Sequence, residues 1–250
     1  MGEAIRLDKF LADMSVGTRS QVKELISKGR VKLNGSVVKE ASVKVNRETS
    51  VVEADGKRIA YRTYEYYMLN KPAGVVSATE DKNEKTVLDL ITGKARKDLF
   101  PIGRLDKDTE GLLIITNDGE LSHKLLSPKN HVDKTYYVET DIHIDKKMAE
   151  LLENGVDIGD DKLTMRAEVK IINQEAEDKD LPAGQRNISY ITLREGRFHQ
   201  VKRMYKAVGA TVTYLKRVSM GGLKLDDSLK PGEYRPLTEK EIKIIAGENR

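Results

Sequence analysis

Downstream of about residue 58, segments with a strand-like pattern outnumber those with a helical one, and this restricts the fold more than any other feature. Six segments have the pattern of strands: 66–70, 112–116, 135–140, 167–172, 188–193 and 211–218. Four have helical periodicity: 86–91, 120–126, 146–154 and 199–208. Runs of strands with scattered helices are typical of an α+β domain. We therefore predict a mixed, largely antiparallel β-sheet with flanking helices.

The first 58 residues show a different pattern, two short helices followed by a hairpin. An apolar stripe at i, i+3, i+4 and i+7 predicts the first helix: Leu7, Phe10, Leu11 and Met14. A capping box of Thr18 and Gln21 predicts the start of the second helix, and Gly29 its end. Asn34-Gly35 between alternating residues predicts the hairpin.

These patterns divide the chain into a small domain at 1–58, a larger domain at 59–240 and a C-terminal tail at 241–250. The polar, acidic stretch 174–186 is expected to be a loop. The segment 112–116 is apolar throughout, which is typical of a buried central strand.

The positive charge of the chain is concentrated at its N-terminal end. The chain has a formal net charge of +4, and residues 1–60 hold 12 Lys and Arg against 8 Asp and Glu. The whole excess therefore belongs to the first quarter. A localised excess is expected of a segment that binds a polyanion, although a solvated charged surface explains the charge equally well.

Basic residues of this quarter fall on the outer faces of the two predicted helices and at the start of the hairpin. Arg19 and Lys23 are four residues apart, so they share one helix face opposite the apolar stripe. Such a face can place cations along a phosphate backbone. We predict RNA contacts for six residues: Arg6, Lys9, Arg19, Lys23, Arg30 and Lys32.

The motifs of residues 5–52 resemble the S4-type (αL) RNA-binding domain. The resemblance rests on Arg6-Leu-Asp-Lys-Phe-Leu, Gly17-Thr-Arg-Ser and Leu25-Ile-Ser-Lys-Gly-Arg-Val-Lys-Leu-Asn-Gly. It implies that the small domain binds RNA.

A polar loop with Asp106 and Asp108 precedes the apolar strand at 112–116. A carboxylate on a loop braced by a central strand suits a nucleophile or a general base. Asp-x-Asp could also begin a cation site, but the glycine and closing Glu of an EF-hand are missing. In an arbitrary protein, a lone loop Asp is more often a cap or a turn residue.

The sequence around this loop resembles the catalytic motif of pseudouridine synthases: Gly103-Arg-Leu-Asp, Thr109-Glu-Gly-Leu-Leu and Thr116-Asn-Asp-Gly. Three further segments are similar to motifs of the same family, in the family's order: Asn70-Lys-Pro-Ala-Gly, Lys134-Thr-Tyr136 and Gly196-Arg-Phe-His-Gln-Val-Lys202-Arg-Met. The first of the three is expected to be structural. Within the family, the sequences of these motifs most resemble the small-subunit (RsuA) type, which modifies uridine 516 of 16S rRNA.

The resemblance implies an isomerase with Asp106 as its essential carboxylate. Tyr136 would stack on the uracil, Lys202 would pair with Asp106, and Arg104 would fill the space left by the flipped nucleotide. Strand alternation puts Tyr136 and Tyr137 on opposite faces, so only one can line the site, and the motif selects Tyr136.

A second basic cluster accompanies the last motif. The segment 194–217 holds seven basic residues and one acid, and Arg197 and Arg203 are predicted RNA contacts. The resemblance puts Lys202 where the family often has Arg, and Lys cannot make a bidentate grip on Asp106. His199 and Gln200 are expected to brace this motif.

The sequence lacks the residues that several other kinds of functional site require. The chain has no cysteine, which excludes thiolate metal sites and suits a reducing cytoplasm. No histidine pair has zinc-ligand spacing, and Thr92-Gly-Lys-Ala lacks the glycine and hydroxyl of a phosphate loop. No apolar run approaches the roughly 20 residues of a membrane span. An isomerisation needs no redox step or group donor, so we predict no cofactor and no metal.

The sequence therefore predicts a 16S rRNA pseudouridine synthase whose partner is the rRNA or the assembling small subunit. Two alternatives stay open: a 23S rRNA enzyme of the same family, and a non-catalytic ribosome-assembly factor that binds RNA. A monomer is the default expectation beside a large RNA partner.

Overall fold

The structure is a computed structural model, and it describes residues 4–93, 95–172 and 187–248. The chain divides into two compact units. The first unit combines Met1–Glu65 with Ile91–Leu99, and the second combines Tyr66–Leu90 with Phe100–Arg250. The predicted division at residue 58 stays a prediction, but residues beyond it, among them 91–99, belong to the first compact unit.

Two helices and two small sheets make up the described part of the first unit. The helices are α1 (Leu7–Asp13) and α2 (Arg19–Ser27). The strands are β1 (Ala4–Arg6), β2 (Val31–Leu33), β3 (Ser36–Val37), β4 (Lys44–Asn46), β5 (Val52–Ala54) and β6 (Lys57–Ile59). One sheet has the order β3-β2-β5-β6, and β1 pairs with β4 in the other.

Local sequence signals account for most of this unit. The capping box of α2 is present, with the Thr18 hydroxyl accepting from the backbone N–H of Gln21. Asn34 and Gly35 both have positive φ, as a type I′ hairpin turn requires, so the predicted hairpin is confirmed. The apolar stripe of α1 is buried against α2 and the strands. The pairing of β1 with β4 joins segments about 40 residues apart, and no local signal indicates it.

The described part of the second unit is built on a large sheet. Its strands are β7 (Tyr66–Lys71), β8 (Phe100–Pro101), β9 (Glu110–Thr116), β10 (Lys134–Thr140), β11 (Glu168–Ile172), β12 (Ile188–Leu193), β13 (Val212–Met220), β14 (Leu223–Lys224) and β15 (Tyr234–Pro236). Its helices are α3 (Gly119–Leu126), α4 (Lys146–Asn154), α5 (Gln200–Ala207) and α6 (Glu239–Ala246), with short 3-10 turns at Val87–Leu90 and Pro128–Asn130.

The strand order of this sheet is β11-β12-β10-β13-β9-β7-β15, with β14 beside β13 and β8 beside β9. Among the named strands of this sheet in the described residues, only β13 and β9 pair in parallel. The predicted α+β fold with a mixed, largely antiparallel sheet is therefore confirmed. Strand β9 is central, and Leu112, Leu113, Ile114 and Ile115 are fully buried, as the apolar run predicts.

Two apolar clusters pack the helices onto the sheet. Helices α4 and α5 cover β10, β12 and β13, and Val138, Val201 and Met204 are buried between them. Helices α3 and α6 pack in a second cluster with β7 and β9. Helix α6 includes much of the stretch 241–250 that was expected to be a tail, and its Ile245 is buried in this cluster.

The helix predicted at 146–154 has the observed bounds of α4, and that at 199–208 corresponds to α5. The segment at 86–91 forms a 3-10 turn rather than an α-helix. The loop expected at 174–186 lies outside the described residues. No helix in the described ranges is long and apolar enough to cross a membrane.

Candidate active site

The loop between β8 and β9 carries Asp106. Ser77 fixes this loop from a neighbouring segment, because its hydroxyl donates to the carbonyl of Leu105 at 2.9 Å and accepts from the Leu105 N–H at 3.0 Å. The Gly74 N–H donates to the carbonyl of Lys107 at 2.7 Å. The backbone on both sides of Asp106 is therefore held by hydrogen bonds, and the position of the carboxylate is constrained.

Lys71 lies beneath the same loop and is fully buried. Its ammonium donates to the carbonyls of Thr109 at 2.9 Å, Pro72 at 3.0 Å and Lys107 at 3.2 Å. Burial lowers the pKa of Lys71 to about 8, although the carboxylates of Asp108 and other acids oppose this shift. The motif Asn70-Lys-Pro-Ala-Gly thus supplies a clamp for the Asp106 loop.

Gly111 permits a close approach of β9 to β13 just after this loop. Its φ is +102°, and a Cβ at this position would overlap the carbonyl oxygen of Arg217 and lie 2.8 Å from its backbone nitrogen. Glu110 and Gly111 pair with Lys216 and Arg217 in the parallel register. Since only glycine fits here, it lets β13 lie against the end of the Asp106 loop.

The start of α5 brings two further side chains to Asp106. The Nε2 of His199 lies 3.6 Å from Oδ1 of Asp106, and the Nζ of Lys202 lies 3.7 Å from its Oδ2. The Asp106 side chain is 27% exposed, so a substrate can reach it from solvent. The structure thus brings together the predicted residues Asp106 and Lys202, and adds His199 to them.

Lys202 is bonded more closely to Asp108 than to Asp106. Its Nζ donates to the two carboxylate oxygens of Asp108 at 2.5 and 2.7 Å. This contact holds the pKa of Asp108 below its usual range. The Lys202 ammonium therefore contacts both carboxylates. Asp108 was not among the predicted site residues, although the Asp-x-Asp spacing indicated it.

Tyr136 and Tyr137 lie on opposite faces of β10, as strand alternation requires. Tyr136 is half-buried on the face that α5 covers, against the cluster of Val201 and Met204. Tyr137 lies on the other face, in edge-to-face contact with Tyr190 and Tyr214. Of the two tyrosines, only Tyr136 is on the side of the sheet that carries Lys202.

Two buried cations lie next to Tyr136, and neither Arg217 nor Lys134 was among the predicted site residues. Arg217 is opposite Tyr136 across the strand pair and 2% exposed, and its Nε donates to the Leu112 carbonyl at 2.8 Å. Lys134 is buried and donates to the Val132 carbonyl. Burial, followed by the charge of Arg217, lowers the pKa of Lys134. This part of the site therefore has an excess of positive charge.

Arg197 and Arg203 both form ion pairs within the second unit. Both guanidiniums contact Asp160, at 3.4 and 2.5 Å. Arg197 also pairs with Glu195 at 3.0 Å. Gln200 accepts from the Arg197 N–H and donates to Glu195, which agrees with its expected bracing role. RNA contacts by the two arginines stay a prediction. Arg104 is exposed on the Asp106 loop.

The six basic residues predicted to contact RNA in the first unit fall into two groups. Arg6, Lys9 and Arg30 form ion pairs with Asp8, Asp13 and Asp55, respectively. Among the described residues, no carboxylate forms an ion pair with the exposed Arg19, Lys23 or Lys32. Arg30 and Lys32 line a cavity of about 240 Å³. The second group, Arg19, Lys23 and Lys32, therefore has exposed charges that an external anion can reach.

No group of three or more Asp, Glu or His in the described ranges is arranged to hold a metal ion. The site consists of a carboxylate pair, a lysine, a histidine and two buried cations. This arrangement can hold an ionised carboxylate near a substrate, and it lies on a domain that follows a small basic domain in the chain.

Comparison with known proteins agrees with this architecture. The family model described as RNA pseudouridylate synthase matches residues 65–207, and the S4 domain model matches residues 5–51. An uncharacterized RNA pseudouridine synthase of Bacillus subtilis is 45% identical over 242 residues, which cover 96% of this chain and 98% of that protein. The ribosomal small subunit pseudouridine synthase A of Escherichia coli is 40% identical over 243 residues, which cover 96% of this chain and all of that protein.

A crystal structure of a pseudouridylate synthase superimposes with a TM-score of 0.66 at 35% identity, and the match covers 96% of this chain and 99% of that one. The fold and the matched domains define an RNA-modifying isomerase with an appended RNA-binding domain. The chain belongs to the RNA pseudouridylate synthase family and carries an S4 domain at its N-terminal end.

Proposed function

We propose that this enzyme converts uridine 516 of 16S rRNA to pseudouridine, with Asp106 as the essential carboxylate. The reaction breaks the bond between N1 of uracil and C1′ of ribose, turns the base and joins C5 to C1′. The C5 proton is lost and N1 gains one, so the atoms balance without an external donor. The observation that carries the proposal is the Asp106 carboxylate, held on its clamped loop between His199 and Lys202.

The other predicted residues have roles that agree with their surroundings. Lys202 pairs with Asp106 and helps to position its carboxylate, since its ammonium lies 3.7 Å from Oδ2. Tyr136 stacks on the uracil, on the α5 side of the sheet. Arg104 is exposed on the same loop as Asp106, and it takes the space that the flipped nucleotide leaves.

The choice of 16S rRNA is supported by relatives along nearly the full chain. Proteins named ribosomal small subunit pseudouridine synthase A are 41% identical in Vibrio vulnificus and 40% in Escherichia coli. The motif wording of this chain also resembles that type. We infer that the enzyme acts in the cytoplasm on rRNA or the assembling subunit, as a monomer and without a cofactor.

The S4 domain supplies RNA affinity in this proposal, and the exposed cations Arg19, Lys23 and Lys32 contact phosphates. The test is chemical mapping of pseudouridine in 16S and 23S rRNA from cells with and without the protein. We expect one uridine of 16S rRNA to lose its modification, and wild-type protein to restore it.

Asp106→Asn should fail to restore the modification while it binds rRNA with an affinity within a few-fold of wild type. Asp161→Asn makes the same chemical change at an exposed position on a different loop, so it should restore the modification fully. A loss confined to 23S rRNA would overturn the 16S assignment. Unchanged rRNA in cells without the protein would favour a binding factor, and an active Asp106→Asn enzyme would overturn the assignment of the carboxylate.

A further inference from the structure

Phe198 is the most exposed large hydrophobic side chain in the described part of the molecule. Its side chain is 74% exposed, compared with 59% for Leu163 and 53% for Val37. A single exposed apolar residue is ordinary on a protein surface. The position of Phe198, rather than its exposure alone, indicates a function.

The ring of Phe198 is stacked on the imidazole of His199. The ring centroids are 3.8 Å apart and the planes differ by 18°. His199 has a left-handed backbone, with φ of 48° and ψ of 34°, which a residue with a Cβ adopts at a cost in free energy. Helix α5 begins at the next residue, so the helix and the hydrogen bonds of Gln200 hold the stacked pair in place.

This pair adjoins the candidate catalytic carboxylate. His199 contacts Asp106 at 3.6 Å through the same ring that stacks on Phe198. Lys202 and the exposed Arg104 supply positive charge around Asp106. An exposed aromatic face beside cations is the arrangement by which proteins bind the bases of single-stranded nucleic acid.

We propose that the exposed face of Phe198 stacks on the base of a nucleotide adjacent to the target uridine in the RNA strand. The inference rests on the proposed function and adds a second base-binding subsite to it. Asp106 is 27% exposed and Phe198 is 74% exposed. The ribose and base of the flipped uridine reach inward to Asp106, so the ring outside accepts the neighbouring base of the strand.

Stacking also predicts what this subsite selects. Every base has an aromatic face, so the subsite discriminates little among base identities and requires an unpaired neighbour. A paired neighbour would keep its faces within the duplex, out of reach of Phe198. The Phe198 subsite therefore favours a target uridine whose flanking nucleotide is already unstacked.

The test compares Phe198→Leu and Phe198→Ala with Phe198→Tyr and Phe198→Trp on a transcript of the 16S target region. Leucine keeps an apolar side chain and removes the aromatic face, whereas Tyr and Trp keep the face. We expect the Leu and Ala variants to raise KM roughly 5- to 150-fold, the range of one base–aromatic stack, with a much smaller change in kcat. The Tyr and Trp variants should retain a KM near the wild-type value.

A second measurement reports stacking directly. Transcripts with 2-aminopurine on either side of the target uridine are bound to the Asp106→Asn protein, which prevents turnover. At one of the two positions, fluorescence should fall on binding, and adding Phe198→Leu should abolish the fall. Leu151→Ala, at a half-exposed apolar residue of α4, is the matched control and should change neither KM nor fluorescence.

Phe198→Leu with a wild-type KM, or with an unchanged fluorescence fall, would overturn the subsite and leave the proposed function intact. Failure of the wild-type enzyme to bind and convert the transcript would instead overturn the proposed function and the subsite together.

Discussion

The ammonium of Lys202 lies 3.7 Å from Oδ2 of Asp106. It also makes two short hydrogen bonds to Asp108, so the candidate catalytic carboxylate shares its cation with a second acid two residues away. Asp108 is 71% exposed, and RNA that approaches the site can compete for the same lysine.

We expect Lys202→Met to lower kcat by ~10-fold or more, because it removes the cation that pairs with the Asp106 carboxylate, and tenfold in rate corresponds to roughly 1.4 kcal/mol. Lys202→Arg should retain more activity, since a guanidinium can contact both acids. Steady-state kinetics on a 16S transcript measures both effects. Asp108→Asn is the companion variant and should be far more active than Lys202→Met, because it leaves Lys202 free for Asp106. Equal losses in the two variants would show that Asp108 itself is required.

Gly111→Ala should destabilise the protein strongly. The new Cβ would overlap the backbone of Arg217, and a positive φ adds strain of roughly 1–3 kcal/mol. Thermal unfolding measures the change in stability. Gly232→Ala is the matched control, because its φ of +91° imposes the strain while no atom lies within 4 Å of the added Cβ. The two variants should differ by the steric overlap alone, and equal unfolding temperatures would contradict the close approach of β9 and β13.

Lys71→Met should loosen the Asp106 loop, because three backbone carbonyls lose their shared donor. Both kcat and the unfolding temperature should fall at pH 7. The variant also tests the pKa of Lys71, which is about 8 in the folded protein and 10.5 in the unfolded chain.

The sign of the pH effect follows from proton binding. Between pH 8 and 10.5 the unfolded chain keeps the proton on Lys71 and the folded protein releases it. The free energy of unfolding of wild type should therefore rise with pH relative to Lys71→Met, by at most about 1.4 kcal/mol per pH unit. Denaturant unfolding at pH 7.5, 8.5 and 9.5 measures the difference. A difference that stays constant or falls across this range would contradict the lowered pKa.

Reversal of Arg19 and Lys23 to Glu should weaken rRNA binding and flatten its salt dependence. These exposed cations lie on one face of α2, and each lost phosphate contact lowers the slope of log K against log salt by about 0.7–0.9. Salt titrations of rRNA binding measure the slope. Reversal of Lys146 and Lys147 on α4 makes the same change in net charge and should affect the slope much less. A full deletion of residues 1–58 is less informative, because Tyr61 in the remaining chain would lose its hydrogen bond to Asp13 and its packing against Phe10 within the same compact unit.

Local patterns in the sequence were sufficient for the S4-type helices, the Asn34-Gly35 turn, the helix at 146–154 and the buried strand β9. Each depends on residues within a few positions of one another, through periodicity, capping or turn geometry. The family motifs likewise indicated Asp106 and Lys202, because each motif is a short continuous segment that can be identified without the tertiary structure.

Only the tertiary structure decided which distant groups meet. Lys71 and Thr109 are 38 residues apart and Lys202 and Asp108 are 94 apart, and no local periodicity relates them. The antiparallel pairing of β7 with β9 brings Lys71 to Thr109. The parallel pairing of β9 with β13 and the packing of α5 bring Lys202 to Asp108. The sequence by itself specified the chemical groups of the site. The arrangement of the sheet determined that Lys202 forms its short hydrogen bonds with Asp108 and lies farther from Asp106.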